Sequence, residues 1–516
     1  MSFSKTSMKH QRNDSNASLD NKRAERTSEK RMRSGDGQMP TNEIPHGQAI
    51  RTAYDLQRAI SCIKKYEHRL GSVVCMWDLF RCSSLSQAKR EVLDQLESAN
   101  NQANRVTRSF FYGTYDWKIH LRVTHPGCEY ESKDIGWKTH IPKPVFDQWL
   151  ENAPVSGFGD NRALETKVDN AVRKACEIPA SGFEVTRELL GDVAKTWTNN
   201  FLPSKVRAEP YKIHIYGEGG HFESYRDTPE SLLVGTFLLG IGDHTPDPRS
   251  TFSDNSPLNE ETEFGNFCIE GIRRRADPGS WVAFHPDIPH SVEPLESGCR
   301  GAVAFKIFSL EDDGGRKEAS GRYPAAVETT KAALEDIKGS FGVVLQHDYP
   351  MGTDSYNLVG SDAVLLAAAT QLPEVKVVEV IPILVDLDEK YINDPNERTI
   401  VKTNVYPLTR FHVDTVLNRK VDPEVKAGME WIKDAKDLPF YGWDFKSKAM
   451  KLSSNHETIN WVGNESDGTR DTSLYVAYAI VVLSNLEAGD TGEDAAEDDF
   501  ENDSQYDSED YTDNSY

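Results

Sequence analysis

Between residues 205 and 310 the chain breaks into short apolar runs separated by turn-forming clusters. The runs are YKIHIYG, LLVGTFLLGIG, GNFCIEGI, SWVAFHP and CRGAVAFKIFSL. They are too short for a helical core and are rich in β-branched and aromatic residues. Several short strands with regular turns predict an all-β sandwich or barrel-like core.

The flanks read differently. Segments 52–70 and 86–102 carry apolar residues at near-helical spacing and predict helices, as does 160–177. FYGTYDWKIHLRVTH (111–125) predicts one or two strands. Residues 46–204 are thus expected to form a mainly helical support for a β domain at 205–310. Beyond 325 the character changes again. VKVVEVIPILVDL (375–387) predicts a buried strand and 425–437 a surface helix. A mixed α/β domain over 325–486 is the simplest account.

Composition explains the ends. The hydrophobic fraction is 38% and the mean hydropathy −0.59, both low for a wholly compact chain. Residues 1–45 are polar and expected to be disordered. Within them KRAERTSEKRMR (22–33) is a basic cluster, read as a solvated tail or as a nuclear-import or docking patch. Residues 487–516 form an acidic tail, also expected to be disordered. A net charge of −23 argues against nonspecific binding to nucleic acid or an anionic membrane. No apolar run is long enough to span a bilayer, and the start of the sequence lacks the apolar core of a secretory signal. The seven cysteines show no CxxC and no paired spacing. These features predict a cytoplasmic protein with reduced thiols, with a nuclear location open if the basic cluster is an import patch.

The chemistry concentrates in two stretches: YKIHIYGEGGHFESYRDTPE (211–230) and PGSWVAFHPDIPHSVEPLESGCRGAVAFKIF (278–308). Together and in this order they resemble the Fe(II)/2-oxoglutarate-dependent dioxygenases, in the prolyl 4-hydroxylase-like branch. Those proteins read like YxxxxYxxGxxFxxHxDT and then WxxFYxDxxHxVxxVxxGxR. FGVVLQHDYP (341–350) and NWVGNES (460–466) also resemble the region after the oxygenase domain in some fungal members. The resemblance covers about a hundred residues well. It implies an α+β chain: a double-stranded β-helix (jelly-roll) core with flanking helices, a mixed α/β C-terminal domain and disordered tails.

The resemblance also implies chemistry. Such enzymes hydroxylate a substrate with O2 while 2-oxoglutarate is converted to succinate and CO2. Fe(II), 2-oxoglutarate as cosubstrate and, as a candidate, ascorbate are the implied cofactors. A protein or peptide substrate, prolyl among the candidates, is the implied partner. By resemblance Asp227 is the carboxylate ligand and His290 the distal histidine. Arg300 binds the far carboxylate of 2-oxoglutarate, and Tyr216 donates to that same carboxylate. Trp281 and Phe284 are barrel core. The physical logic agrees. Two imidazoles and a carboxylate on one face of Fe(II) leave room for a bidentate 2-oxo acid and O2. An HxD pair on a strand supplies two of them, because residues i and i+2 share a face. A guanidinium fork suits a carboxylate. Taken singly, each residue has a plainer reading. Asp227, before Thr-Pro, can cap a turn; His290, after Pro289, can be a loop histidine; Arg300 can be a surface residue.

The departure is Tyr225, which stands where the first histidine is expected. A phenol has a pKa near 10 and must lose its proton to bind a metal well. Tyr225 is therefore a doubtful ligand. His221 has the right parity on the strand but lies about 13 Å along it, out of reach without a bulge. His285 and His214 are not convincing replacements. A rival HxD occurs at His412 and Asp414, in LTRFHVDTVL, without the glycine-bearing approach or the downstream pattern. It is read as part of a strand or turn. Two functions follow: a dioxygenase, or a catalytically impaired pseudo-oxygenase that acts as a protein-binding module.

Overall fold

The computed structural model describes residues 71–75, 87–115, 118–136, 139–160, 165–228, 230, 232–246, 265–310, 314–350, 358–373, 375–391, 398–416, 420–421, 423–428, 438–442, 448, 461–462 and 475–484. The helix expected over 52–70, both tails and residues 429–437 lie outside them.

Eight consecutive strands form the centre: β1 Val206–Tyr216, β2 His221–Tyr225, β3 Leu233–Asp243, β4 Phe267–Ile269, β5 Ile272–Arg274, β6 Ser280–Phe284, β7 His290–Val292 and β8 Arg300–Ser309. They divide between two sheets. One runs β6-β3-β8-β1 and is extended at its edges by Phe110–Thr114 and Cys176–Pro179. The other runs β5-β4-β7-β2 and is extended by Arg173–Lys174. All of these pairings are antiparallel.

Alternation along the strands explains the layering. On β3, Phe237, Leu239 and Ile241 enter a large core shared with the helices Lys143–Asn152 and Arg187–Asn200. The opposite face of this sheet meets the second sheet through Tyr216, Val282, Phe284, Phe222, Phe267 and Val292. Helix Arg187–Asn200 begins where Thr186 accepts a hydrogen bond from the Leu189 amide at 3.2 Å. Its buried residues Leu189, Val193 and Trp197 recur every fourth position, which makes one apolar stripe. Trp197 comes so close to β3 that a Cβ at Gly235 would lie 2.0 Å from its ring.

The later strands are β9 Phe341–Val344, β10 Tyr349–Pro350, β11 Val375–Tyr391, β12 Arg398–Pro407, β13 Phe440–Gly442 and β14 Tyr475–Ser484. They run β9-β13-(Gly71–Cys75)-β12-β11-β14, and a further pairing of β14 with β9 closes the series into a ring of six. Ile381, Ile383, Val385, Val405, Phe440, Ala479 and Val481 form a buried cluster of this ring. Helix Gly360–Ala369, buried at every position, packs among helices Gln87–Val106, Gly314–Arg322 and Pro324–Glu335. Among the described residues no helix is long and apolar enough to cross a membrane.

Several expectations hold. Helix 86–102 is found as Gln87–Val106, and 111–125 contains the strands Phe110–Thr114 and Ile119–Val123. Every short run within 205–310 contains a strand, and GNFCIEGI spans one strand, a turn and the start of the next. Others fail. The segment 160–177 is not a helix: Glu165–Lys167, Arg173–Lys174 and Cys176–Pro179 are extended. Its backbone groups are taken by sheet edges, with Phe222 opposite Arg173 and Ile213 opposite Ile178. Tertiary pairing overrides a weak local preference here. Among its described residues the 46–204 region accordingly carries strands as well as helices.

Candidate functional site

The expected site residues lie between the two sheets. Tyr225 ends β2 and His290 begins β7, and the two are paired directly across the strands. Their rings stand 4.2 Å apart, edge to face. The ladder between β2 and β7 is irregular between Phe222 and Tyr225. Phe222 stacks on Tyr225 at 3.7 Å, and the Arg173 guanidinium lies 4.3 Å over Phe222. This stack fixes the tyrosine ring. Burial pushes the Tyr225 phenol well above its ordinary pKa. At neutral pH it is a hydrogen-bond donor and not an anionic ligand.

His290 is 2% exposed. Its Nδ1 lies 2.9 Å from the Ile288 carbonyl oxygen. A carbonyl only accepts, so Nδ1 carries the hydrogen and Nε2 keeps its lone pair. Burial lowers its pKa, so the neutral form, the one that binds metals, prevails. Asp227, also buried, follows β2 by two residues. Thr236 of β3 donates to its Oδ2 at 2.5 Å, and its amide donates to the Pro286 carbonyl at 3.0 Å. Thr236 is a contributor that sequence reasoning missed; a threonine inside a strand pattern gives no signal of such a role.

Arg300 begins β8 with Tyr216 of β1 on one side and Asp243 of β3 on the other. It is only 5% exposed. Asp243 is engaged elsewhere: its carboxylate takes Arg275 at 3.1 Å, the Ala276 amide at 2.9 Å and the Thr245 hydroxyl. Burial would raise its pKa, but Arg300 first, then Thr245 and Arg275, hold it below the usual carboxylate value. The Arg300 Nη1 is buried without a hydrogen-bond partner among the described residues. A buried guanidinium nitrogen with no acceptor is costly to leave so.

Arg173 was hidden within the segment expected as a helix. Its Nη1 donates to the Gly157 carbonyl at 2.8 Å, and its Nη2 lies 3.0 Å from His214 Nδ1. Guanidinium only donates, so His214 accepts at Nδ1. Burial foremost, with Arg173 next, holds His214 well below its ordinary pKa and keeps it neutral.

The candidate substitutes make contacts of their own, and His285 Nε2 is left buried without a hydrogen-bond partner among the described residues. His221 has Nδ1 3.0 Å from the Gly219 carbonyl and Nε2 3.2 Å from that of Ala171. His285 donates from Nδ1 to the Val234 carbonyl at 3.0 Å and packs edge to face on Trp197, Phe201 and His347. His412 and Asp414 lie on the helix Arg410–Val416, not on the strand or turn expected. Two residues apart on a helix point about 200° away from each other, so this HxD pair shares no face. Among the described residues no group of three His, Cys, Asp or Glu side chains is placed to hold a metal ion.

A second buried cluster ties this site to the ring. His347 Nδ1 lies 3.0 Å from Asp287 Oδ1, and Asp348 receives both Arg226 and Lys448 at 2.8 Å. Asp362 accepts from the Tyr349 hydroxyl at 2.8 Å and from the amides of Gln346 and His347.

No family model matches this chain, and no curated protein does. Among solved structures, a Pseudomonas putida prolyl-4-hydroxylase aligns at 10% identity and a TM-score of 0.23, over 42% of this chain and 99% of that one. A viral collagen prolyl hydroxylase from Paramecium Bursaria Chlorella virus-1, solved with 2OG, aligns at 10% identity and 0.19, over 27% and 81%. A Trichoplax adhaerens prolyl hydroxylase, solved with a hypoxia inducible factor peptide fragment, aligns at 14% identity and 0.25, over 44% and 94%. Likenesses of this size assign no residue a role.

Proposed function

We propose that the eight strands form the core of an Fe(II)/2-oxoglutarate-type oxygenase, with its cosubstrate anchor intact and its metal set one donor short. The observation that carries this reading is the buried Arg300 Nη1, which has no partner among the described residues. The strand orders β6-β3-β8-β1 and β5-β4-β7-β2 support it, because they are the orders of a double-stranded β-helix. The sequence resemblance, with Asp227, His290, Arg300 and Tyr216 at family spacing, supports it independently. The implied substrate is peptidyl, prolyl residues among the candidates, and nothing in the fold selects one.

The two implied groups fit differently. A dicarboxylate suits a buried guanidinium beside Tyr216. Asp227 and the lone pair of His290 Nε2 would be the residues to hold Fe(II), and the cross-strand neighbour of His290, where the resemblance implies a second histidine, is the protonated phenol of Tyr225. The iron set is therefore incomplete, and no catalytic step is derived through it. Tyr225 favours a second reading, a pseudo-oxygenase that keeps the fold as a binding module.

Anaerobic titration with Fe(II) and 2-oxoglutarate separates the two. A visible charge-transfer band in the wild type supports the oxygenase. A band only in Tyr225→His supports the binding module. No band in either removes the assignment of this site.

A further inference from the structure

We propose that the site at Arg300, between the two sheets, binds small dicarboxylates without a metal ion and does not distinguish 2-oxoglutarate from glutarate or succinate. The inference rests on the core reading above and departs from it at the metal end. In a chelating site the keto oxygen and one carboxylate oxygen of a 2-oxo acid are held by the ion, and that hold is what selects the keto group. It needs an ion kept by the protein. Here the cross-strand neighbour of His290 is a phenol, and the described residues offer no three-donor group.

What this site holds instead is hydrogen-bond donors. Arg300 presents a buried nitrogen without an acceptor. Tyr216 lies opposite Arg300 in register, and Tyr225 belongs to the same buried cluster between the sheets. Among the described residues nothing is hydrogen-bonded to the hydroxyl of either tyrosine. The nearest carboxylate in register, Asp243, is satisfied by Arg275 and Ala276. A guanidinium and phenol hydroxyls recognise carboxylate oxygens and offer a keto oxygen no special partner. The two carboxylates, and not the keto group, are then what the site reads.

The test is calorimetric titration of the full chain with 2-oxoglutarate, glutarate and succinate, first in EDTA and then anaerobically with Fe(II). The three ligands are expected to bind in EDTA with dissociation constants within about threefold of one another, a difference of well under 1 kcal/mol, and iron is expected to leave them unchanged. Arg300→Leu is expected to weaken all three by about tenfold or more, and Arg300→Lys, which keeps charge without the fork, by less. Circular dichroism shows whether either variant has lost its fold. Tyr225→His with Fe(II) is expected to acquire a preference for 2-oxoglutarate. Binding of 2-oxoglutarate only with Fe(II) would overturn the proposal and leave the oxygenase reading standing. Binding of 2-oxoglutarate alone in EDTA would overturn the lack of discrimination. Binding of none, with or without iron, would overturn both readings.

Discussion

The Tyr475 hydroxyl donates to the main-chain carbonyl oxygen of Asp227 at 2.9 Å. Strand β14 of the ring thus holds the turn that carries the candidate metal carboxylate. The Arg226 guanidinium, 5.7 Å over the Tyr475 ring, is held from the same side by Asp348. Replacing Tyr475 with Phe removes one hydrogen bond and keeps the ring. The expected loss of stability is about 1 kcal/mol. Amide exchange should quicken at residues 226–228 and stay unchanged in β8. Unaltered exchange at 226–228 would mean that the contact does not hold the turn.

Asp348 is the shared acceptor of Arg226 and Lys448, and all three side chains are largely buried. Asp348→Ala leaves two cations without their counter-charge, and the expected destabilisation is about 3 kcal/mol or more in urea unfolding. Adding Arg226→Met should recover part of it. A loss in the double variant equal to the sum of the two single-variant losses would show that the pair is not coupled.

His285 predicts an acid-sensitive fold. Burial holds its folded pKa at about 3, with His347 adding to the effect. The unfolded chain takes up a proton near the ordinary histidine value, while the folded chain does not. Stability therefore falls as pH drops below about 6.5, by about 1.4 kcal/mol per unit, or about 2 kcal/mol at pH 5. His347 acts in the other direction. Burial opposes its protonation, but Asp287 outweighs that and raises its pKa. Its contribution is complete below the ordinary value and is lost as pH rises through the raised one. Asp287 is held below the usual carboxylate value despite burial, chiefly by His347. Its contribution is present above the ordinary carboxylate range and is lost only as pH falls through that lowered value, outside this window. Denaturant unfolding from pH 7 to 5 should show the slope, and His285→Asn should lessen it by about 1.4 kcal/mol per unit, leaving the same-signed share of the buried, neutral His214 and His290.

The His412 pair offers a negative control. Its Nδ1 lies 2.5 Å from the Thr409 hydroxyl on a short helix. His412→Ala should leave dicarboxylate binding at the Arg300 site within about twofold of wild type, well below the tenfold that 1.4 kcal/mol represents. A larger loss would bring the rival motif back into consideration.

Much of the central fold was legible because it depends on short-range pattern. The strands of 205–310 announce themselves by alternation and turns, and Asp227, His290 and Arg300 do come to the space between the two sheets. Arg300 had two readings, a site residue or a surface residue, and its burial removes the second. Three things were not legible, each for a physical reason. Residues 160–177 are extended because β1 and β2 need edge partners, and an edge partner is chosen by distant sequence. Thr236 bonds Asp227 from another strand, so spacing carries no trace of it. The His347–Asp287 pair joins residues 60 positions apart in a contact that only the packing of ring against core creates.

The ring also sets an order of assembly. Gly71 pairs with Val405, so the first strand of the ring has no partner along that edge until roughly 330 further residues have been made. The whole eight-strand core is synthesised in that interval. The core is free to condense first, while the strand Gly71–Cys75 remains an open edge able to pair with the wrong chain. Closure waits for β14, the same strand that brings Tyr475 to Asp227. A nascent chain stopped before β14 would thus carry the candidate site without the brace, and completion of the ring is the event that fixes the turn at Asp227.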